Sequence, residues 1–190
     1  VLRIASNFVL ALVLTTAAAA HGAEPAPVPK SLRILFIGNS LTSRPEVPAR
    51  LAALATAMGR TATVDSVTFD NYSLDDHWRD GSALAAIKKG WDVVVLQQGP
   101  STQPDSRALL IEYTRRFAEP IRAAGAKPAL YMVWPTVDRA RDFGATIGAY
   151  RAAAEAVNGI VIPAGEAWLR VLGEDKRLRL YSDTLHPTSI

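Results

Sequence analysis

Asp92-Val93-Val94-Val95-Leu96-Gln97-Gln98-Gly99 decides the fold. Four consecutive aliphatic residues with no polar alternation read as a strand covered on both faces, and such strands belong to parallel sheets flanked by helices. Moving outward from it, short apolar runs alternate with longer helical patterns, which is the pattern of βαβ units. Leu32 to Ile37 is a first strand, apolar apart from Arg33, and Thr63 to Phe69 is a second, rich in β-branched residues. Leu130 to Trp134 and Ile160-Val161-Ile162 supply a fourth and a fifth. Leu51, Leu54 and Met58 share one face of a helix over Arg50 to Met58, which Gly59 ends. Leu109, Tyr113, Phe117 and Ile121 recur every four residues and mark a long amphipathic helix, which Pro120 is expected to kink or end. Ile147, Tyr150, Ala154 and Val157 define another, closed by Asn158-Gly159. No internal repeat interrupts this order. The expected class is α/β, a three-layer α/β/α sandwich around a mainly parallel five-stranded sheet.

The chain has 190 residues, and its first two dozen read differently from the rest. Arg3 precedes an apolar stretch from Phe8 to Leu14, and Ala17 to Ala20 lead into Gly22, Ala23 and Glu24. A basic start, an apolar centre too short to span a bilayer and small residues after it are the parts of a signal peptide, expected over residues 1–22. Pro25-Ala26-Pro27-Val28-Pro29 makes 23–30 a stiff linker, because alternate prolines favour an extended chain. The domain is then 31–190, and ~160 residues suffice for one full core without staples. That fits the absence of cysteine in a chain expected to be secreted or periplasmic. The formal charge is +3 with no dominant basic run, so nucleic acid is not an expected partner. No later segment is apolar for long enough to cross a membrane, so no stable membrane insertion is expected after signal cleavage.

In open α/β sheets, sites gather outside the carboxyl ends of the strands. Asn39-Ser40 follows the first strand, Asp70-Asn71 the second and Gln97-Gln98 the third, while Asp183 and His186 lie in a loop after the last helical stretch. All four segments are expected at one rim. Gly38-Asn39-Ser40 by itself is also an ordinary turn in which Ser40 caps a helix. It is not a Gly-x-Ser-x-Gly elbow, since Thr42 stands where the second glycine belongs, and no dinucleotide glycine pattern is present. Asp183-Thr184-Leu185-His186 changes that reading. A carboxylate holding His Nδ1–H leaves Nε2 to face a serine hydroxyl, and a three-residue spacing lets one turn present both side chains together. One His and one Asp are too few for a metal site. His77, among Asp75, Asp76 and Trp78, reads as a surface residue. Asp75 and Asp76 are adjacent and diverge, which argues against a glycosidase pair. The tryptophans read as core or rim packing, with Trp134 the one expected near a ligand.

With Gly38-Asn39-Ser40-Leu41 near one end and Asp183-x-x-His186 near the other, the chain resembles the SGNH hydrolases, the GDSL-type esterases. Asn39 stands where many members carry Asp, so the likeness is to a GNSL-type branch. The resemblance implies a flavodoxin-like sheet, with Ser40 as nucleophile, His186 as general base and then acid, and Asp183 orienting it. It also implies an oxyanion hole formed by Ser40, by Asn71 in place of a glycine, and by Gln98 in place of an asparagine. Asn is the non-glycine residue that best tolerates positive φ, and Gln carries the same amide donor on a longer arm. Gln97 points to the opposite face of the strand. The implied activity is cleavage of a carboxylic ester in a small molecule or a glycan, with O-acetyl groups the first candidate and no cofactor. An acyltransferase with the same nucleophile, or a binding module with little turnover, would carry the same residues. The resembling proteins continue into a helix after the His block, whereas Pro187-Thr188-Ser189-Ile190 follow here. Either the domain is cut short at its C-terminus or another element holds this loop.

Overall fold

The computed structural model describes residues 31–175 and 177–188. The expected signal peptide over 1–22 and the linker over 23–30 lie outside the described residues. Five strands form the sheet: β1 Ser31–Gly38, β2 Thr61–Thr68, β3 Val93–Leu96, β4 Lys127–Tyr131 and β5 Ile160–Ile162. Their order is β2-β1-β3-β4-β5, and every pair within the sheet is parallel. The helices are α1 Ser40–Ser43, α2 Val47–Ala57, α3 Leu74–Asp80, α4 Ser82–Ile87, α5 Pro104–Ala123, α6 Phe143–Glu155 and α7 Ala164–Glu174, with a 3-10 segment at Val137–Asp142. Right-handed crossovers place α2, which carries the chain outward to β2, on the opposite face from α3 and α4, which carry it back past β1 to β3, and from α5, which carries it on to β4. The result is the expected three-layer sandwich.

The core sits on the three central strands. Leu35, Phe36 and Ile37 of β1, Val94 to Leu96 of β3 and Ala129 with Leu130 of β4 are all buried. That is why the Val93–Leu96 run lacks alternation, since it meets side chains from both layers. Leu110, Phe117 and Ile121 of α5 and Tyr150 of α6 close one face, each essentially without exposure. Burying such side chains stabilises by ~1.5–3 kcal/mol each. The direction in which strands are added to the sheet reverses between β1 and β3, and the crevice at that switch is where a site belongs.

Three local expectations shift. The fourth strand ends at Tyr131, while Met132, Val133 and Trp134 continue as buried chain beyond the ladder, because β5 is only three residues long. Pro120 neither ends α5 nor falls early in it; the helix runs on to Ala123, and a proline in the last turn removes only one backbone bond. On α2 the expected apolar face splits. Val47 and Leu51 pack against the core, but Leu54 and Met58 are exposed, because α2 lies over edge strand β2 and none of its residues is buried.

Candidate active site

The switch-point crevice begins at the end of β1. A Cβ at Gly38 would overlap Gln97 Oε1 and lie 2.8 Å from Thr42 Oγ1, so the strand leaves the sheet through the one residue that fits. Asn39 follows in extended conformation and caps α1, its Oδ1 accepting Leu41 N–H at 3.1 Å. Ser40 is the first residue of α1, where a backbone N–H has no partner within the helix.

His186 reaches Ser40 from the far end of the chain. Its Nε2 is 2.9 Å from Ser40 Oγ, and its Nδ1 is 2.8 Å from Asp183 Oδ2. A carboxylate can only accept, so Nδ1 carries the proton and Nε2 is left to accept from the serine hydroxyl. Asp183 Oδ1 accepts the backbone N–H groups of Leu185 and His186, both at 2.7 Å. These two bonds first, and then the imidazole, hold the Asp183 carboxyl well below the usual carboxylate range. The loop itself has neither helix nor ladder. Ser182 N–H donates to His186 O at 2.8 Å, and an isolated bridge joins Tyr181 to Pro187. Val137 N–H holds Thr184 O at 2.9 Å, and Trp134 Nε1–H holds Leu185 O at 2.9 Å. Arg44 Nη1 lies 3.4 Å from His186 Nδ1, which Asp183 already occupies, and Arg44 is neutralised by Asp70 at 3.1 Å.

An open cleft of about 460 Å³ runs from Ser40 toward the start of α5. Asn71, Gln98, Ser101, Thr102, Thr136 and Arg139 give it a polar lining, with Leu41, Tyr72, Leu109 and Leu185 between them. Asn71 takes φ 65°, and its backbone N–H has no hydrogen-bond partner among the described residues. Ser101 also has positive φ, at 55°. Among the described residues no group of three His, Cys, Asp or Glu side chains is placed to hold a metal ion.

Known structures can now be set beside this one. A protein assigned as an SGNH hydrolase, from Slackia heliotrinireducens, superposes with a TM-score of 0.66 at 23% identity, covering 83% of this chain and 91% of that one. The chain has the SGNH hydrolase fold. An acetyl xylan esterase, AlAXEase, matches with a TM-score of 0.66 at 14% identity over 83% of this chain and 92% of its own. TesA matches at 0.61 with 20% identity over 82% and 89%. No family model matches the chain, and neither does any curated protein.

Within the SGNH fold, the residues expected at an oxyanion stand in different states. Asn71 presents a free N–H, whereas the Gln98 amide is engaged. Gln98 Oε1 accepts Leu74 N–H at 3.1 Å, which fixes the orientation of the amide. Its Nε2 then donates to Ser101 Oγ at 2.9 Å and to Ser106 O at 3.2 Å. Delivery of a Gln98 donor to a substrate requires release from one of these. Tyr150, fully buried, braces the same segment, donating to Gln98 O and accepting Gln98 N–H at 3.2 Å; burial pushes its phenol pKa up and keeps it neutral.

Two residues differ from their sequence-based expectation, Trp134 and His77, while Gln97 turns away from Gln98 as expected. Trp134 does not line the cleft. It lies stacked on Trp168, with ring centroids 3.7 Å apart, and supports the His186 loop from below. His77 is fully buried rather than on the surface, because α3 turns Leu74, His77 and part of Trp78 inward while Asp76 and Arg79 face out. The three-and-four spacing from Leu74 was the available signal, obscured by the acidic neighbours. Gln97, facing away from Gln98, lies against Ser40's turn. Its Oε1 accepts Asn39 N–H at 2.9 Å and Thr42 Oγ1–H at 2.8 Å, while its Nε2 donates to Asn39 Oδ1 at 2.9 Å and Gln98 O at 2.7 Å.

Proposed function

We propose that this chain is a serine esterase of the SGNH type. Ser40 Oγ attacks the ester carbonyl as its proton passes to His186 Nε2, and the imidazolium is balanced by Asp183. The developing oxyanion is met by the backbone N–H groups of Ser40 and Asn71, with a Gln98 N–H joining when it leaves Ser101. His186 returns the proton to the departing alcohol oxygen, leaving an acyl group on Ser40. Water then attacks this acyl carbon, giving its proton to His186, and the carboxylic acid departs as Ser40 recovers its hydrogen. The observation that carries the reading is the unbroken relay from Asp183 through His186 to Ser40, with links of 2.8 and 2.9 Å at the mouth of a cleft.

The substrate class we propose is a short acyl ester, acetyl first, on a polyhydroxylated alcohol such as a glycan. The hydroxyl and amide side chains set among apolar ones in the cleft wall support it, and the acetyl xylan esterase among the structural neighbours points the same way. Export by the N-terminal segment would bring the enzyme to such polymers. A fluorophosphonate probe tests the nucleophile: the wild type is expected to form a stable adduct and Ser40→Ala none. Labelling that persists in Ser40→Ala would assign the chemistry to another residue. Acetate release from acetylated xylan, compared with release from a long-chain acyl ester, then tests the substrate class, and preference for the long chain would overturn it.

A further inference from the structure

The peptide that joins Gly38 to Asn39, immediately before Ser40, is gripped at both ends. On its carbonyl side, His77 Nε2 lies 2.8 Å from Gly38 O. On its amide side, Asn39 N–H donates to Gln97 Oε1 at 2.9 Å. A carbonyl oxygen only accepts, so His77 Nε2 must carry a hydrogen. His77 Nδ1 is buried without a hydrogen-bond partner among the described residues, so nothing there receives a second proton. The rings of Tyr72 and Phe69 wall the imidazole at centroid distances of 5.1 and 5.8 Å. Burial lowers the pKa of His77 below the usual histidine value, in the same sense as the geometry.

A buried polar side chain with one ring nitrogen unsatisfied costs stability, and an aliphatic residue would fill the same space without that cost. Gly38 O also accepts Phe69 N–H at 3.3 Å, so the carbonyl does not depend on His77 for a partner. What His77 adds is direction. With the N–H end fixed by Gln97, a second fixed point on the C=O end removes rotation of the whole peptide plane. That plane sets where α1 starts and where Ser40 Oγ points. The same imidazole sits on α3, directly after the loop that carries Asn71, and Asn39 Nδ2–H ties that loop through Tyr72 O at 3.0 Å.

We infer that His77 is a positioning residue, a neutral Nε2–H imidazole that clamps the Gly38–Asn39 peptide against Gln97 and so aims Ser40 Oγ at His186. The inference rests on the esterase reading above. Its test uses the whole chain and the variants His77→Gln, His77→Asn and His77→Leu. A glutamine amide nitrogen reaches the place of imidazole Nε2, whereas an asparagine amide reaches only that of Nδ1. Each protein is assayed for kcat and KM on p-nitrophenyl acetate and for its rate of fluorophosphonate labelling. The tautomer of His77 in 15N-labelled wild type is read from long-range 1H–15N correlations.

His77→Leu and His77→Asn are expected to lose about 10²-fold in kcat and in labelling rate with KM nearly unchanged, the cost of a nucleophile displaced by about 1 Å, and His77→Gln to recover most of it. The wild-type spectrum is expected to show the Nε2–H form at neutral pH. Full activity in His77→Leu, equal losses in His77→Gln and His77→Asn, or an Nδ1–H or doubly protonated ring would each overturn the inference. Should His77→Leu fail to fold, the Gln and Asn pair still decides. An inert, unlabelled wild type would instead overturn the esterase reading and the positioning role with it, while the tautomer spectrum still reports whether the clamp exists.

Discussion

Ser40 and His186 meet at 2.9 Å but are held there by opposite means. Ser40 stands at the end of a central strand, is itself buried, and leaves the sheet through a turn fixed by Gly38, Gln97 and His77. His186 stands on a loop with no regular structure, and its partner Asp183 has a side chain 49% exposed. A packed core positions the first, and about half a dozen discrete hydrogen bonds position the second. The difference teaches that one half of the pair rests on packing and the other on a few exposed hydrogen bonds. Burial holds a side chain over the whole range in which the protein is folded, whereas a hydrogen-bonded loop opens at its own lower free energy.

Asp183→Asn attacks the exposed half and is expected to have the largest effect on turnover. The amide oxygen still accepts the N–H groups of Leu185 and His186, but its NH2 cannot accept Nδ1–H, so the imidazole loses its productive tautomer. A fall of about 10³–10⁴-fold in kcat is expected, with thermal stability close to wild type. A comparable loss of stability would mean that the carboxylate also holds the fold, and the contrast between the two halves would weaken.

Gly38→Ala attacks the buried half and is expected to do the reverse. The added Cβ meets Gln97 Oε1 and Thr42 Oγ1 and forces the turn apart, costing ~1–3 kcal/mol of stability by overpacking. Turnover should fall as well, and chemical denaturation alongside steady-state assay would separate the two. Wild-type stability in this variant would show that the turn can relax.

Acid gives the smallest effect and the sharpest sign. The pKa of folded Asp183 is depressed, so its contribution to holding the loop is complete above the unfolded carboxylate value of ~3.9 and is lost only as pH falls through the lower folded value. Amide exchange at Leu185 and His186, corrected for intrinsic rates, is therefore expected to be flat from about pH 5 to 8 and to rise only in stronger acid. Loss of protection already near pH 5 would place the titrating group elsewhere.

Much of this was legible in the chain. The unalternated Val93–Leu96 run demanded two covered faces, and only a parallel sheet between helix layers provides them. Asp183 and His186 were legible because their spacing is local and one turn suffices to join them. What escaped depends on contacts between distant segments. That Gln97 faces away from Gln98 follows from strand geometry, but that its side of β3 lies beneath Asn39 follows only from the order of the strands. The engagement of Gln98 by Ser101 and Ser106 depends on how the loop before α5 closes, and composition carries no trace of it. The extent of β4 was overread for a related reason: an apolar run reports burial, and Met132 to Trp134 stay buried past the end of the ladder, where Gly165 of α7 lies against Met132 and Val133.

The Gln97 amide has every donor and acceptor in use, and this saturation has an evolutionary reading. Asn39 bonds through both ends of its own amide, to Gln97 and Leu41 on one side and to Tyr72 on the other. An aspartate at 39 would set a carboxylate oxygen against the Tyr72 carbonyl. Substitution at 39, 42 or 97 alone is therefore expected to cost more than a matched change of all three. Relatives that keep the glutamine after the third strand should keep the asparagine before the serine, however far the rest of their sequences have drifted.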